Sequence, residues 1–248
     1  MRRYFGALAL AILAAGPAAA FDPEAMTEPQ RDAFRAEIRT YLLENPEVLL
    51  EAIGVLEDRQ AEAQAVDDAD LVAVNAEALF ESPHSWVGGN PDGDVTLVEF
   101  VDYNCGFCKR AFPEVMDLVE SDGEIRLILK EFPILSPDSE LASRFAVAVL
   151  QTAGDEAYAE AHERLMTLQG PARGPALERI GRDMGLDMEA ITAAMDSPEV
   201  TAVIEANRAL AQRLQINGTP SFVLEDRMIR GFLPVDGMRE LVAAVRAD

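Results

Sequence analysis

Apolar positions along the chain change their period twice. Between residues 21 and 80 they repeat at helical spacing: Phe34, Ile38, Tyr41 and Leu42 fall at i, i+4, i+7 and i+8 and make one stripe. Asn45-Pro46 reads as a cap followed by a first-turn proline, so a second helix is predicted to begin there. Its stripe, Leu49, Ala52, Ile53 and Leu56, fades into the polar run EDRQAEAQAVDDAD. The spacing of Leu49, Ile53 and Leu56 allows a short coiled seam. Two readings stay open for this region: a linker that packs back, or a stalk through which copies of the chain assemble.

From GNPDGDVTLVEFVDYN onward the period shortens. Pro91-Asp92-Gly93 marks a turn, and Val95 to Val101 is a β-rich run with a single acid, Glu99, in its middle. Helical spacing returns from Cys105 to about Ser121, and IRLILKEF (Ile125 to Phe132) reads as a second strand ended by Pro133. Strand, helix and strand in that order predict a βαβ unit with parallel strands. A helical tract covers about 136–214, broken at Gly154, QGPARGP, Gly185 and DSPE. Its methionines, Met166, Met184, Met188 and Met195, sit at helical spacings and read as core filler. NGTPSFVLEDRMIRGFLP then gives a loop, two strands about a tight turn near Glu225-Asp226, and a closing helix from Val235. The predicted fold class is α/β: a β-α-β…β-β-α frame over residues 81–248, split by the helical insert and preceded by a helical extension over 21–80.

Residues 1–20 carry a different pattern. MRR is followed by the apolar run Tyr4 to Ala15, a Gly16-Pro17 break, and Ala18-Ala19-Ala20. These are the parts of a secretory signal cleaved near Ala20. The apolar run falls short of the roughly 20 residues that span a bilayer. Secretion of a soluble product is therefore expected. The chain carries 21 basic and 44 acidic side chains, for a net charge of −23. Removal of the leader would take Arg2 and Arg3 with it. So acidic a chain excludes nucleic acid and anionic lipid as partners, because both repel it.

Against this background the chemistry rests on two cysteines, Cys105 and Cys108, separated by Gly106 and Phe107. A disulfide across so short a loop removes little unfolded-chain entropy, about 2 kcal/mol against about 3 for a 15-residue loop, so a structural staple is the weaker reading. Zinc would need two further ligands, and the histidines His84 and His162 stand alone without ligand spacing. No resident metal or other cofactor is predicted. Two thiolates could hold Cu(I), which keeps a copper-handling protein as an alternative of another class. A redox pair accounts for the spacing best in a secreted chain with a βαβ frame. Cys105 falls at the start of a helix, where free N–H groups and the helix dipole favour a thiolate. Lys109 and Arg110 add positive charge nearby. Cys105 is thus expected to attack and Cys108, one turn in, to resolve the mixed disulfide.

Two further positions join this picture. Glu99 lies in a strand that should be wholly apolar, and an acid there is costly unless paired or functional. Its carboxyl could exchange a proton with Cys108, with Lys130 in LKEF as its counter-charge. Pro220, in NGTPSF, precedes a strand. A cis Thr219-Pro220 bond against Cys105 would offer a backbone edge to an extended substrate peptide.

VEFVDYNCGFCKR, LKEFPIL and GTPSF, in this order and with a helical insert between them, resemble the DsbA-like branch of the thioredoxin superfamily. IRTYLLENPEVLLEAIGVLEDRQ resembles the amino-terminal region of its ScsC-type members. The resemblance implies a thioredoxin-like fold and thiol–disulfide exchange. Cys105 would be the nucleophile and Cys108 the resolving cysteine. Glu99 would be the buried acid and Thr219-Pro220 the cis-proline loop. Unfolded or misoxidised exported proteins would be the substrates, and a membrane redox partner would reset the cysteines. A homo-oligomer through residues 27–76 is implied as well. Strong oxidants of this branch have a histidine before the second cysteine, where this chain has Phe107. That departure favours isomerase or reductase chemistry over a monomeric, disulfide-donating oxidase.

Overall fold

A computed structural model describes residues 25–247, so the leader expected over residues 1–20 lies outside the described residues. The described chain forms two compact units that divide between Arg59 and Gln60.

The first unit holds helix α1 (Glu28–Glu44) and the opening turns of α2 (Glu47–Val74). A capping box starts α1: Thr27 and Gln30 satisfy each other's exposed N–H groups, and a proline occupies the first turn. Asn45 ends it, accepting the break before Pro46. No residue of α1 is buried. Phe34, Ile38, Tyr41, Leu49, Ile53 and Leu56 are all exposed among the described residues, on the helices where the sequence pattern placed the stripes. No described helix is long and apolar enough to cross a membrane.

The second unit is built on a five-stranded sheet in the order β1-β3-β2-β4-β5, made of β1 (Trp86–Gly89), β2 (Val95–Val101), β3 (Ile125–Glu131), β4 (Ser221–Leu224) and β5 (Arg227–Arg230). β2 and β3 run parallel and every other neighbour pair is antiparallel. The parallel pair is joined by α4 (Gly106–Asp122), as the βαβ pattern requires. Gly123 ends α4 in the left-handed region at φ 76°, a conformation open to glycine. β1 was not legible in the sequence: four residues with two glycines carry no alternation, yet they pair with β3 along its outer edge.

Period-two alternation sorts β2 onto two cores. Leu97 and Val101 face one cluster with Leu127, Leu129, Phe222 and the apolar faces of α4, α5 (Pro137–Ala153) and α6 (Asp155–Thr167). Val98 and Phe100 face a second cluster with Ile128, Val223, Leu210 and Leu214. Val72 and Leu79 also lie in that second cluster, the latter from the short helix α3 (Ala76–Phe80). Residues 60–80, which the sequence pattern grouped with the extension, therefore lie in the larger unit. Each such buried aliphatic or aromatic side chain stabilises the fold by about 1.5–3 kcal/mol.

The insert resolves into five helices, α5 through α9, with α7 (Gly174–Asp183), α8 (Met188–Met195) and α9 (Pro198–Arg213) completing the set. Side-chain caps start three of them, from Ser136, Asp187 and Ser197. Met166 is buried, and Met184, Met188 and Met195 pack against the same core. Helix α10 (Val235–Ala247) closes the chain against α4 and β2.

Candidate active site

The site forms where β2 ends. Asp102 is fully buried, and its Oδ1 accepts the Asn104 N–H at 2.8 Å. Its Oδ2 accepts the N–H groups of Ile134 and Leu135 at 3.0 and 3.1 Å. One carboxylate thus ties the loop after β2 to the loop after β3. Asn104 in turn accepts the Ala172 N–H at 2.8 Å. Lys109 donates to the Leu168 and Gly170 carbonyls at 2.7 and 3.0 Å. The segment that follows α6 is therefore latched to the start of α4.

Cys105 is the N-cap of α4, with an extended backbone at φ −81° and ψ 116°. Its Sγ accepts the Cys108 N–H at 3.4 Å, and its thiol donates to the Thr219 carbonyl at 3.2 Å. The two cysteines are unbonded. Cys105 keeps 6% of its surface open while Cys108 has none, and Phe107 between them is 60% exposed. The Cys105 pKa is pushed down to about 5, first by the hydrogen bond from the Cys108 thiol, against the opposing effect of burial. The backbone N–H groups of Cys108 and Phe107 add to the lowering. Cys108 moves the other way: its role as donor to Cys105, its burial and the charge of Glu99 all push it far up. One sulfur is set to be a thiolate and its neighbour a thiol.

The basic residues after the pair do not carry this asymmetry. Lys109 is spent on the loop carbonyls, and Arg110 lies over the Phe232 ring at 4.5 Å.

Glu99 sits mid-strand in β2, the middle strand of the five, opposite Leu129 on one side and Phe222 on the other. It is 3% exposed, and its carboxyl makes no hydrogen bond among the described residues. Burial, with the Cys105 charge next, raises its pKa to about 8. Lys130 does not pair with it, which corrects the expected counter-charge. In the β2–β3 register Lys130 lies opposite Phe100, so its side chain leaves on the other face of the sheet. There it donates to the Ala78 carbonyl and the Ser85 hydroxyl, both at 2.8 Å. A shift of one residue in register decides the matter, since neighbouring strand positions face opposite ways.

The Thr219–Pro220 peptide bond is cis, and Pro220 is buried beside the exposed Asn217–Gly218 turn. The Thr219 carbonyl faces Cys105, and the Thr219 hydroxyl is buried with no hydrogen-bond partner among the described residues.

A second buried group was missed. The Glu131 carboxylate accepts from the hydroxyls of Tyr103 and Tyr158 at 2.6 Å and of Ser143 at 2.7 Å. The Nδ1 of His162 lies 3.0 Å from the Tyr103 hydroxyl. Burial outweighs the three donors and raises Glu131 to about 7, and burial lowers His162 to about 3. This cluster fastens α5 and α6 to the loop that carries Cys105. Like Glu99, Glu131 is an acid within an apolar strand, in LKEF. His84, by contrast, is exposed and away from this cluster.

Comparison with known proteins follows the same lines. A family model described as a DSBA-like thioredoxin domain matches residues 96–243, and one described as the copper resistance protein ScsC N-terminal domain matches residues 30–63. A thioredoxin-like oxidoreductase from Silicibacter pomeroyi DSS-3 is similar at 45% identity and a TM-score of 0.65, over 69% of this chain and 98% of that one. A linker-deletion mutant of ScsC from Proteus mirabilis is similar at 25% identity and a TM-score of 0.69, over 91% of this chain and 99% of that one. Among curated relatives, a Na(+)/H(+) antiporter NhaA from Herminiimonas arsenicoxydans is 30% identical over 58% of this chain. The chain spans about a quarter of the length of the antiporter relatives it matches, 23% in that case.

Proposed function

The chain belongs to the family of DSBA-like thioredoxin domains, among thiol–disulfide oxidoreductases of the DsbA and ScsC kind, and from that premise we propose a periplasmic enzyme that exchanges disulfides in exported proteins through Cys105 and Cys108. The single observation that carries the reading is the Cys105 sulfur, held as an N-cap at the mouth of α4 against the Thr219 carbonyl, over a buried Cys108.

The chemistry follows from that asymmetry. The Cys105 thiolate attacks a substrate disulfide, one S–S bond forms to Cys105, and the other substrate sulfur leaves as a thiolate. Cys108 then loses its proton to Glu99 and attacks the Cys105 sulfur. A Cys105–Cys108 disulfide forms, the second substrate thiol departs, and two electrons have passed to the substrate. When the freed substrate thiolate attacks first, Cys105 is regenerated and the substrate is isomerised. The backbone at Thr219-Pro220 is the edge against which an extended peptide lies.

Phe107 supports the isomerase or reductase reading, since an exposed phenyl ring offers no hydrogen bond to a thiolate. The exposed apolar side chains of Ile38, Tyr41, Leu49, Ile53 and Leu56 support homo-oligomerisation through residues 27–76. A membrane redox partner resets the pair, and the signal-like residues 1–20 support export.

A Cys108→Ala variant is expected to accumulate mixed disulfides with unfolded exported proteins. Absence of such adducts would sink the proposal. Equilibration against glutathione buffers, on protein of known solution mass, separates the alternatives. A moderate potential on an oligomer fits an isomerase, and a strongly oxidising monomer fits a disulfide donor.

A further inference from the structure

A cavity of about 360 Å³ opens between α4, α6 and the β1–β3–β2 face of the sheet. Glu99 lines it, 3% exposed and without a hydrogen bond among the described residues. Buried polar groups almost always have a partner, so an unpaired carboxyl facing a cavity marks a contact for a ligand. Burial raises Glu99 to about 8, which is how a buried acid with no cation beside it avoids a bare charge.

The rest of the lining sets the chemistry of that ligand. Leu127, Leu129 and Val115 are buried beside Glu99 and make an apolar floor. Trp86, Phe112 and His162 put three rings into the wall. Ring contacts join them: Trp86 lies 5.6 Å from Tyr158, Tyr158 lies 6.0 Å from His162, and His162 lies 5.4 Å from Phe112. Burial holds His162 down at about 3, so its ring is neutral and offers no competing charge. Among the described residues no lysine or arginine lines the cavity. Exposed Glu120 and Glu163 stand at its mouth with Glu160, which Arg164 holds at 2.7 Å. A mouth of this sign repels anions and draws cations in, and aromatic faces favour a cation further. A dry apolar cavity of about 150 Å³ admits benzene, so this one has room for a ring and a short charged tail.

We propose that this cavity binds a small amphiphilic amine, its ammonium paired with Glu99 and its apolar body against the Trp86 and Phe112 rings. A bare metal ion would leave the floor and the rings without a role, and a neutral apolar ligand would leave the carboxyl unpaired. Two charges buried together are costly unless they pair closely, which favours a ligand whose tail reaches the depth of the cavity. The amine binds as its ammonium and displaces the proton that Glu99 holds, so one proton leaves to solvent for each amine bound. The Glu99 charge is among the causes that push Cys108 up, and an ammonium beside it offsets that effect, which ties occupancy to the redox pair. Binding itself does not depend on the exchange function.

The test titrates the full chain with phenethylammonium and follows the emission of Trp86, the single tryptophan, which lines the cavity. A saturable change is expected. Near pH 7 each amine should release about one proton as it binds, because Glu99 in the free protein is raised to about 8. Calorimetry in buffers of different ionisation enthalpy counts that proton. Phenethyl alcohol has the same body without the charge and is expected to bind about tenfold more weakly or worse. Glu99→Gln keeps the shape of the side chain and should lose about tenfold or more in affinity, together with the proton release. Ala159→Phe sets a ring in the space and should remove saturable binding while Glu99 stays in place. Circular dichroism checks that both variants fold, and the comparison of amine with alcohol needs neither of them. Equal binding of amine and alcohol by the wild type overturns the site. So does proton release that survives Glu99→Gln, or unchanged binding in Ala159→Phe. Emission that fails to saturate below about 10 mM amine overturns it as well.

Discussion

The Glu131 cluster allows a quantitative test of what holds the insert to the site. Tyr158→Phe removes one of three donors to a buried carboxylate and leaves no new orphan. A hydrogen bond to a charged group contributes about 1.5–3 kcal/mol, so the loss should be near 2. Glu131→Leu is more severe. It strands the Tyr158 and Ser143 hydroxyls, while Tyr103 keeps His162 as a neighbour. Two stranded buried groups at about 1–3 kcal/mol each give about 4 in total, a large share of the 5–15 typical of a folded domain. With a urea m-value of about 2 kcal/mol/M, the midpoints should fall by about 1 M and about 2 M respectively. Emission from Trp86, the single tryptophan, reports the transition, since its ring lies 5.6 Å from Tyr158. There is also a pH signature. Because Glu131 is raised from 4.5 to about 7, its stability contribution is full below 4.5 and is lost as pH rises through 7. The wild type should lose ground to Glu131→Gln over that window. If Glu131→Leu costs no more than Tyr158→Phe, the carboxylate's own burial cost has cancelled its bonds and the reasoning fails.

Other expectations are as direct. Alkylation of Cys105 by iodoacetamide should follow a single titration with a midpoint near pH 5 and be flat above pH 7, whereas a midpoint near 9 would refute the thiolate. Lys130→Met should leave thiol exchange at the wild-type rate, because Lys130 faces away from Glu99. Burial lowers Lys130 from 10.5 to about 8, so wild-type stability should rise with pH between those values, and Lys130→Met should lack that rise. His162→Leu should flatten the acid limb of stability: burial holds His162 down at about 3, so its contribution is lost as pH falls from 6.5 toward 3. Asp68→Ala should cost about 1–3 kcal/mol in urea, since it removes a carboxylate that Arg230 grips at 2.6 and 2.8 Å.

Much of this arrangement was legible because the chain obeys local rules where it builds its frame. Val95 to Val101, the helix after Cys105 and the strand at Ile125 follow their periods, so strands and crossover could be read to within a residue. What stayed hidden depends on register and on distant partners. Lys130 and Glu131 are sequence neighbours, yet one reaches Ala78 and Ser85 while the other meets Tyr103, Ser143 and Tyr158. Only the pairing of β3 with β2 tells which faces which core. β1 escaped notice because its pairing with β3, rather than its own glycine-rich residues, makes it a strand.

The cap of α4 has one more consequence. The atom that reacts is also the atom that closes the helix, so each bond made at Cys105 draws electron density away from the amide it satisfies. Chemistry and fraying are then one equilibrium: whatever steadies the first turn of α4 makes the sulfur a better leaving group, and whatever loosens it makes the mixed disulfide last longer. No acid lies in that first turn, although the chain carries 44 of them. The helix end where the Cys105 anion forms thus carries no like charge of its own.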